Sequence, residues 1–374
     1  MRDVVERIWF GSDALARVAR ATLAPTEVVY RAVVNVRAAL YETGVFTTHE
    51  PALPTVSVGN LTVGGTGKTP VAAWIASELI ERGERPAIVL RGYGEDEQLV
   101  HVRLNPTIPV IVSADRADGI VTARSRGATV AVLDDAFQHR QVSRAVDLVL
   151  VSADRWALST RLLPAGPFRE PLSALRRATM VLVTRKAASD ADVNAVNEAL
   201  AAIAPRIPRS TVSLMPHELR SVSQNERGER RRPIEDLSGR HVRVITAIGD
   251  ASAFIRQLEA AGGRVIADAY ADHHHFEPDE IERFARSIPA DGLAICTLKD
   301  AVKLARRWPR EAPTLWYVSQ RVSVERGVGG VEHILDELTQ RLGRERSRAR
   351  GDSHCDRPDF IPSWQPTFDF RPIE

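Results

Sequence analysis

The sequence predicts an α/β fold in two parts: a domain with a mostly parallel sheet and a second, smaller α/β domain that follows it. Short apolar runs rich in Val, Ile and Leu recur along the chain, and helical stretches separate them. Runs of this kind, without polar alternation, are typical of parallel strands whose two faces are both covered by helices. An amphipathic helical segment precedes the first run. With 374 residues the chain is long enough for two domains.

The first domain is assigned to residues 49–215 and the second to residues 236–343. Strand candidates of the first domain lie at 55–58, 87–90, 110–112, 130–133, 148–151 and 180–183. Those of the second lie at 242–245, 264–266, 293–296 and 314–318, with helices expected at 251–261 and 278–287. Residues 216–235 are polar and rich in arginine, which indicates a connector or an exposed hairpin. We expect a cleft between the two domains.

The two ends of the chain differ in character from its middle. Residues 1–48 mix apolar and aromatic side chains with arginines at helical spacing. Such a helix can lie in a membrane interface, and the alternative is a helix pair packed on the body of the protein. No stretch approaches the roughly 20 apolar residues that span a bilayer, and no secretory signal is recognisable. Residues 344–374 are charged and without apolar period, so a mostly disordered tail is expected.

Composition and charge give only general limits on the class of protein and its compartment. The formal net charge is only +2, with 44% hydrophobic and 26% charged residues. These values describe a folded protein and do not indicate a nucleic-acid partner. Cys296 and Cys355 lie far apart, without the spacing of a zinc site or a disulfide framework, which favours a reducing compartment.

A glycine-rich turn after the first strand candidate predicts a phosphate-binding P-loop. Glycines let the backbone turn tightly with its N–H groups inward, and the following helix adds the positive end of its dipole. Lys68 should reach the β- and γ-phosphates, and the Thr69 hydroxyl should bind Mg²⁺. The loop is a variant, because Thr62 stands where the GxxxxGK[ST] pattern has glycine. The expected nucleotide-binding residues are Gly64, Gly65, Thr66, Gly67, Lys68 and Thr69.

An acidic pair, Asp134 and Asp135, follows the strand candidate at 130–133. A P-loop needs an acidic residue at the end of another apolar strand, beside the Mg²⁺ ion. A carboxylate at a strand end can also merely cap the next helix. Together with the P-loop, the pair indicates a site for a nucleoside triphosphate, most simply ATP with Mg²⁺.

Six blocks in the same order resemble the tetraacyldisaccharide 4'-kinase family of lipid A synthesis. The blocks are SVGNLTVGGTGKTP from residue 57, LRGYG from 90, LDDAFQHRQVSRAVDLVLV from 133, LLPAGPFREP from 162, DHHHF from 272 and TLKDAVKL from 297. The resemblance implies transfer of the ATP γ-phosphate to the 4'-hydroxyl of a tetraacylated glucosamine disaccharide 1-phosphate. It also implies a P-loop domain and a smaller α/β domain joined by a hinge, a glycolipid partner, and a peripheral position on the cytoplasmic face of the inner membrane. We expect a monomer.

The resemblance also assigns roles to individual residues. Lys68 and Thr69 match the family's phosphate and metal positions, and Asp134 and Asp135 match its acidic pair. Further residues that fall in family blocks near the cleft are Arg91, His139, Arg169 and Glu170.

The proposed base is an aspartate that the family carries in a GDE block, oriented by the histidine of its DH block. Here these are Asp96 and His273, one from each domain. The family's spacer between RGYG and GDE is absent, and Gln98 stands where proline is expected, so Glu95 and Glu97 compete with Asp96.

Several alternatives stand beside this interpretation. The histidine run at 273–275 could suggest a metal site, although adjacent histidines rarely converge on one ion. Lys299 and Asp300 could be structural at a strand-to-helix turn. A P-loop switch ATPase or GTPase, or an inactive relative that only binds the glycolipid, would carry the same loop. Partitioning-type ATPases have a lysine where this chain has Val63, and the intact loop and acidic pair argue against an inactive relative.

Overall fold

The computed structural model describes residues 2–92, 95–156, 160–222 and 229–351. It confirms a mixed α/β architecture with a mostly parallel sheet. The helices are α1 (Arg2–Phe10), α2 (Ala14–Glu42), α3 (Lys68–Glu81), α4 (Glu95–Leu104), α5 (Arg116–Ser125), α6 (Asp190–Ile203), α7 (Ala251–Ala260), α8 (Pro278–Arg286), α9 (Leu298–Leu304) and α10 (Val328–Gly351).

The strands join in one sheet. They are β1 (Thr55–Asn60), β2 (Pro86–Leu90), β3 (Val110–Val112), β4 (Val130–Asp134), β5 (Val146–Ser152), β6 (Met180–Arg185), β7 (Arg209–Ser221), β8 (Arg231–Pro233), β9 (His241–Thr246), β10 (Arg264–Ala269), β11 (Leu293–Thr297) and β12 (Leu315–Arg326). Their order is β10-β9-β11-β12-β7-β6-β5-β1-β4-β2-β3, with β8 paired to β7. Each predicted strand is confirmed, but β12 runs eight residues beyond the predicted end at 318.

A long antiparallel ribbon, β7 with β12, joins two parallel blocks of strands. The first block pairs with residues 209–213 of β7, and the second pairs with residues 315–318 of β12. Because 316–318 lie opposite 219–221, the two blocks sit at different ends of the ribbon. Their carboxyl ends therefore point toward each other across its middle. Ligands of α/β sheets bind at carboxyl ends of strands, so this arrangement defines one shared cleft.

Both faces of each block are covered, as near-continuous apolar strands require. In the first block, α3 and α10 pack over one face, and α5 and α6 pack over the other. In the second block, α7 covers one face, and α8 and α9 cover the other. The strands that carry the cleft are thus held rigidly from both sides.

The segment assigned as a connector is partly strand. β7 runs to Ser221, and β8 pairs back onto it, so residues 216–235 include a hairpin whose turn at 223–228 lies outside the described residues. The sequence missed β7 itself because polar residues alternate along its second half. The predicted boundary at 215–216 falls inside this strand. The division into two domains stays a prediction.

The predicted tail begins too early. Helix α10 continues to Gly351, so the prediction of a disordered tail is wrong for residues 344–351, while 352–374 lie outside the described residues. The physical reason is an ion pair. Arg346 binds both carboxylate oxygens of the buried Glu84, at 2.7 and 2.6 Å, which fixes the end of the helix on the body.

Helices α1 and α2 pack on the first block and keep an apolar outer surface. The Trp9 indole donates to the Pro164 carbonyl at 2.9 Å. The buried Glu27 accepts the Leu162 N–H at 3.0 Å. Large apolar side chains of the pair are nevertheless exposed, namely Val4, Phe10, Leu15, Val18, Val28, Val29, Val33 and Val36. No helix in the described part of the chain is long and apolar enough to cross a membrane.

Candidate active site

The predicted P-loop lies between β1 and α3, and two of its glycines have backbone angles that favour glycine. Gly64 has φ of 107° and Gly67 has φ of 87°, both in the left-handed region. A Cβ on Gly67 would also lie 2.3 Å from Leu214 Cδ1. Gly67 is the N-cap of α3, so the helix begins at Lys68 with free N–H groups directed at the turn. This geometry provides an anion cradle.

Asn60, at the end of β1, organises the loop and was not predicted. Its amide donates to the Thr62 carbonyl and to the Thr66 hydroxyl, each at 2.9 Å. Its oxygen accepts from Lys68 Nζ at 3.3 Å and also from Arg169. A buried asparagine therefore fixes the loop and holds the lysine at its mouth.

Thr69 and Asp134 form the pair expected at a metal site. The Thr69 hydroxyl donates to Asp134 Oδ2 at 3.2 Å, while Oδ1 of the same carboxylate is buried without a hydrogen-bond partner in the described part of the chain. Arg116 fixes the strand end by donating to the carbonyls of Asp134 and Asp135, at 2.7 and 3.0 Å. Hydroxyl and carboxylate oxygens are ligands that Mg²⁺ prefers, so these residues fit the ion. No group of three or more His, Cys, Asp or Glu side chains within the described ranges could hold a metal.

Asp135 faces the P-loop from a strained backbone position. It has φ of 49°, which is uncommon for a residue other than glycine. Its carboxylate accepts from Arg169 at 2.9 and 3.2 Å and lies 3.7 Å from Lys68 Nζ. Desolvation alone would raise its pKa, but Lys68 and Arg169 outweigh that effect and lower the pKa to about 2. The carboxylate is therefore charged and pairs with the cations that a phosphate would need.

The base candidates lie in the first turn of α4. Asp96 Oδ2 is 3.6 Å from His273 Nδ1 and 3.5 Å from Lys303 Nζ. Glu97 lines the cleft, and burial together with Asp134 raises its pKa. Of Glu95, only its position at the start of α4 is described. The structure therefore brings Asp96 and His273 together, and it leaves Glu97 as the second carboxyl group at the site.

His273 occupies the loop after β10, at φ of 62°. Lys299 Nζ lies 3.1 Å from its Nε2 and donates to Asp272 Oδ1 at 3.3 Å. Burial and then the Lys299 charge lower the pKa of His273, so the imidazole is neutral near pH 7. Backbone strain of this kind often occurs at functional sites.

The two residues Lys299 and Asp300 separate into different roles. Asp300 is fully buried and accepts from the hydroxyls of Thr246 and Thr297, at 2.9 and 2.6 Å. It is a structural residue of the strand-to-helix turn, as one of the alternatives predicted. Lys299 instead lines the cleft.

Arg169 and Glu170 lie on one loop but face different surroundings. Arg169 lines the cleft and binds Asp135 and Asn60. Glu170 is buried and pairs with Arg177 at 2.7 Å, so it supports the loop from behind.

Neither His139 nor Arg91 lines the cleft. Burial and the charges of Arg116 and Arg144 lower the pKa of His139 to about 4. Its carbonyl accepts from Arg144 at 2.7 Å. Arg91 is exposed at the end of β2. The block membership of these two residues therefore does not place them at the nucleotide.

The cleft has a volume of about 470 Å³ and is lined from both blocks of the sheet. This volume lies within the usual range for small-molecule sites. The first block supplies the P-loop together with Glu97, Asp135, Arg169 and Lys186, and the second supplies Gly249, Asp250, Asp272, His273 and Lys299.

A contact between the two blocks, missed by the sequence analysis, closes one end of the cleft. Lys186 Nζ donates to the Gly65 carbonyl at 2.8 Å and to Asp250 Oδ2 at 3.2 Å. A Cβ on Gly249 would lie 2.9 Å from Gly65 N, so the loop after β9 touches the P-loop directly. No sequence motif marks these residues, because their roles arise from long-range packing.

Comparison with known proteins identifies the family of this chain. A family model described as "Tetraacyldisaccharide-1-P 4'-kinase" matches residues 19–107 and 96–340. The two matched ranges overlap at 96–107, which covers most of α4. A curated tetraacyldisaccharide 4'-kinase from Anaeromyxobacter sp. (strain K) is 36% identical over 368 residues, covering 89% of this chain and 94% of that protein.

Two further relatives extend the comparison. A tetraacyldisaccharide 4'-kinase from Halorhodospira halophila is 34% identical over 347 residues, covering 86% of this chain and 95% of its own length. A crystal structure of LpxK from Aquifex aeolicus in complex with ATP matches with a TM-score of 0.65 and 26% identity, covering 87% of this chain and 99% of that chain. This chain belongs to the tetraacyldisaccharide 4'-kinase family of phosphotransferases.

Proposed function

We propose that the protein transfers the γ-phosphate of ATP to the 4'-hydroxyl of a tetraacylated glucosamine disaccharide 1-phosphate. The observation that carries this proposal is the placement of two half-sites across one cleft. The first block carries the phosphate cradle with Lys68 and, on α4, Asp96, and the second block brings His273 to within 3.6 Å of Asp96. The names of the curated relatives and the ATP complex of the solved relative support the same activity.

On the nucleotide side, the chain's own groups bind and orient the triphosphate. The N–H groups at the start of α3 and Lys68 Nζ would hold the β- and γ-phosphates. Arg169 and Lys68, which pair with Asp135, carry the positive charge that the transferring group requires. Thr69 and Asp134 would hold Mg²⁺, which when bound neutralises phosphate charge.

On the acceptor side, Asp96 would take the proton of the 4'-hydroxyl as that oxygen bonds to the γ-phosphorus and the bond to ADP breaks. A lysine ammonium can only donate a hydrogen bond, so His273 Nε2 accepts from Lys299 and Nδ1–H faces Asp96. The neutral imidazole would thereby hold the carboxylate toward the acceptor. Because Asp96 and the phosphate cradle belong to residues 49–215 and His273 belongs to residues 236–343, a closing motion of the second segment on the first would complete the site and exclude water.

We also propose that α1 and α2 place the protein on the cytoplasmic face of the inner membrane as a peripheral monomer. Their exposed valines and phenylalanine supply an apolar face, and arginines on the same helices suit anionic headgroups. One chain supplies both sides of the cleft, so a single copy suffices for the reaction. The acyl chains of the acceptor could then stay in the bilayer while its sugar enters the cleft.

Phosphate transfer tests the proposed reaction. The protein is mixed with ATP radiolabelled at the γ-phosphate, Mg²⁺ and the tetraacyl disaccharide 1-phosphate in mixed micelles, beside a Lys68→Ala control. We expect a labelled lipid that disappears in the control, because Lys68 holds the transferring phosphate. Hydrolysis of ATP or GTP that does not depend on the lipid, without transfer, would instead identify a switch-type NTPase.

Liposome flotation tests the membrane face. Deleting the helices is a poor test, because the Tyr30 hydroxyl donates to the Arg169 carbonyl at 3.0 Å and deletion would disturb the active-site loop. Val33→Glu changes only an exposed position, and Val121→Glu on α5 is a matched control. Burial of a valine contributes about 1.5 kcal/mol, so we expect roughly tenfold weaker binding to anionic liposomes for Val33→Glu alone. Equal flotation of both variants would contradict the membrane assignment.

A further inference from the structure

A buried histidine that no motif identifies contacts the carboxylate expected to bind the metal. His101 is fully buried on α4, and its Nε2 lies 2.9 Å from Asp134 Oδ2. The same oxygen accepts the Thr69 hydroxyl at 3.2 Å. Oδ1 of Asp134 is buried and has no hydrogen-bond partner among the residues that the structure describes. The carboxylate is therefore held through one oxygen, while the hydrogen-bonding capacity of the other is unused.

His101 and the base candidates lie on the same short helix. Asp96 and Glu97 are in the first turn of α4, and His101 follows Glu97 by one helical turn, so the two share a face. At the end of the helix, Asn105 donates to the Ala73 carbonyl of α3 at 2.8 Å. Between these ends, His101 connects α4 directly to β4. The helix that carries the base is thus bonded to the strand that carries the metal-binding carboxylate.

We propose that His101 is a positioning residue that fixes the Asp134 carboxylate for Mg²⁺ and locks the base-bearing helix at a set distance from it. The proposal rests on the proposed use of Mg²⁺ and ATP. A hydrogen bond to a metal-binding carboxylate typically changes metal affinity or activity by about 10–100-fold.

The test compares two substitutions at position 101 with a control on the same helix. His101→Leu removes the hydrogen bond at similar volume, and His101→Gln keeps an amide N–H that can reach Asp134. Asn105→Ala loosens the end of α4 without touching Asp134. Binding of Mn²⁺ to the protein with a non-hydrolysable ATP analogue is followed by the loss of the free-ion electron paramagnetic resonance signal. The melting temperature without metal and kcat against KM for ATP are measured in parallel.

We expect Mn²⁺ binding about tenfold or more weaker in His101→Leu, within about threefold of wild type in His101→Gln, and unchanged in Asn105→Ala. Wild-type Mn²⁺ affinity in His101→Leu, or equal losses in His101→Leu and Asn105→Ala, would overturn the proposal. If His101→Leu does not fold, His101→Asn replaces it, because its shorter amide cannot reach the carboxylate. The Mn²⁺ measurement needs no lipid acceptor. If the wild-type protein showed no phosphate transfer, that result would therefore contradict the proposed function and not the role of His101.

Discussion

The identity of the base is the sharpest question that the site poses, and Asp96→Asn with Glu97→Gln answers it. Both substitutions keep shape and remove a charge from the first turn of α4. Asp96 contacts His273 at 3.6 Å and Lys303 at 3.5 Å, whereas Glu97 is a cleft-lining group whose pKa is raised by burial and by Asp134. Because Asp96 is the carboxylate that contacts His273, we expect it to take the proton.

A positioned general base contributes about 10²–10⁴-fold to the rate. Phosphoryl transfer depends more on positioning and charge than on the base, so we expect a loss near the lower end, about 10²–10³-fold in kcat. This corresponds to about 2.7–4 kcal/mol on the barrier at roughly 1.36 kcal/mol per tenfold change. Nucleotide affinity should stay nearly constant in Asp96→Asn, because the charged groups near Asp96 are His273 and Lys303 and not the P-loop lysine. The loss of kcat in Glu97→Gln should be at least about tenfold smaller than the loss in Asp96→Asn.

Steady-state transfer of radiolabelled phosphate at saturating ATP gives kcat, and calorimetric titration with a non-hydrolysable ATP analogue gives the nucleotide affinity. A larger loss in Glu97→Gln than in Asp96→Asn would refute the assignment and make Glu97 the base. Wild-type turnover in both variants would remove the need for a carboxylate base at this helix.

Two further predictions concern charge at the cleft and at the end of the chain. Lys299→Met removes a charge that lowers the pKa of His273, so that pKa should rise. The acid limb of the kcat/KM profile should then move to higher pH. An unmoved limb would contradict the influence of Lys299 on His273. Arg346→Met leaves the Glu84 carboxylate buried without its partner and should lower the free energy of unfolding by about 1–2 kcal/mol, since Arg346 is half-exposed. Because Arg346 lowers the pKa of Glu84, the stabilisation is present at neutral pH and is lost as the pH falls through that lowered pKa. Urea unfolding at pH 7 and at a series of acidic pH values measures both effects, and equal stability of the two proteins at pH 7 would contradict them.

The parts of the site that the sequence predicted are those fixed by local chain geometry. Lys68 and Thr69 follow from the spacing of glycines between a strand and a helix, and Asp134 follows from its place at the end of an apolar strand. Such residues occupy the same relative positions whatever the rest of the fold is. His139 shows the limit of this reasoning, because it shares a motif block with Asp134 and still lies off the cleft.

The residues that the sequence did not predict depend on contacts between distant segments. Asn60 lies in a family block without an assigned role, and His101 and Lys186 lie in none; each acquires its role from a partner far along the chain or across a loop. Polar residues of this kind are wholly or partly buried only because a partner is present. Sequence spacing carries no information about that partner.

Contacts between distant segments also explain why the sequence predicted a cleft but not which strands bring its two sides together. If the carboxyl ends of the two blocks pointed away from each other, each block would offer a separate site. The 13 residues of β7 and the 12 of β12 let the two blocks sit at different ends of one ribbon, so their carboxyl ends meet. A ribbon much shorter than this would bring the blocks side by side and separate Asp96 from His273. The length of this ribbon, set by antiparallel pairing between residues about a hundred positions apart, is therefore what makes one active site from two half-sites.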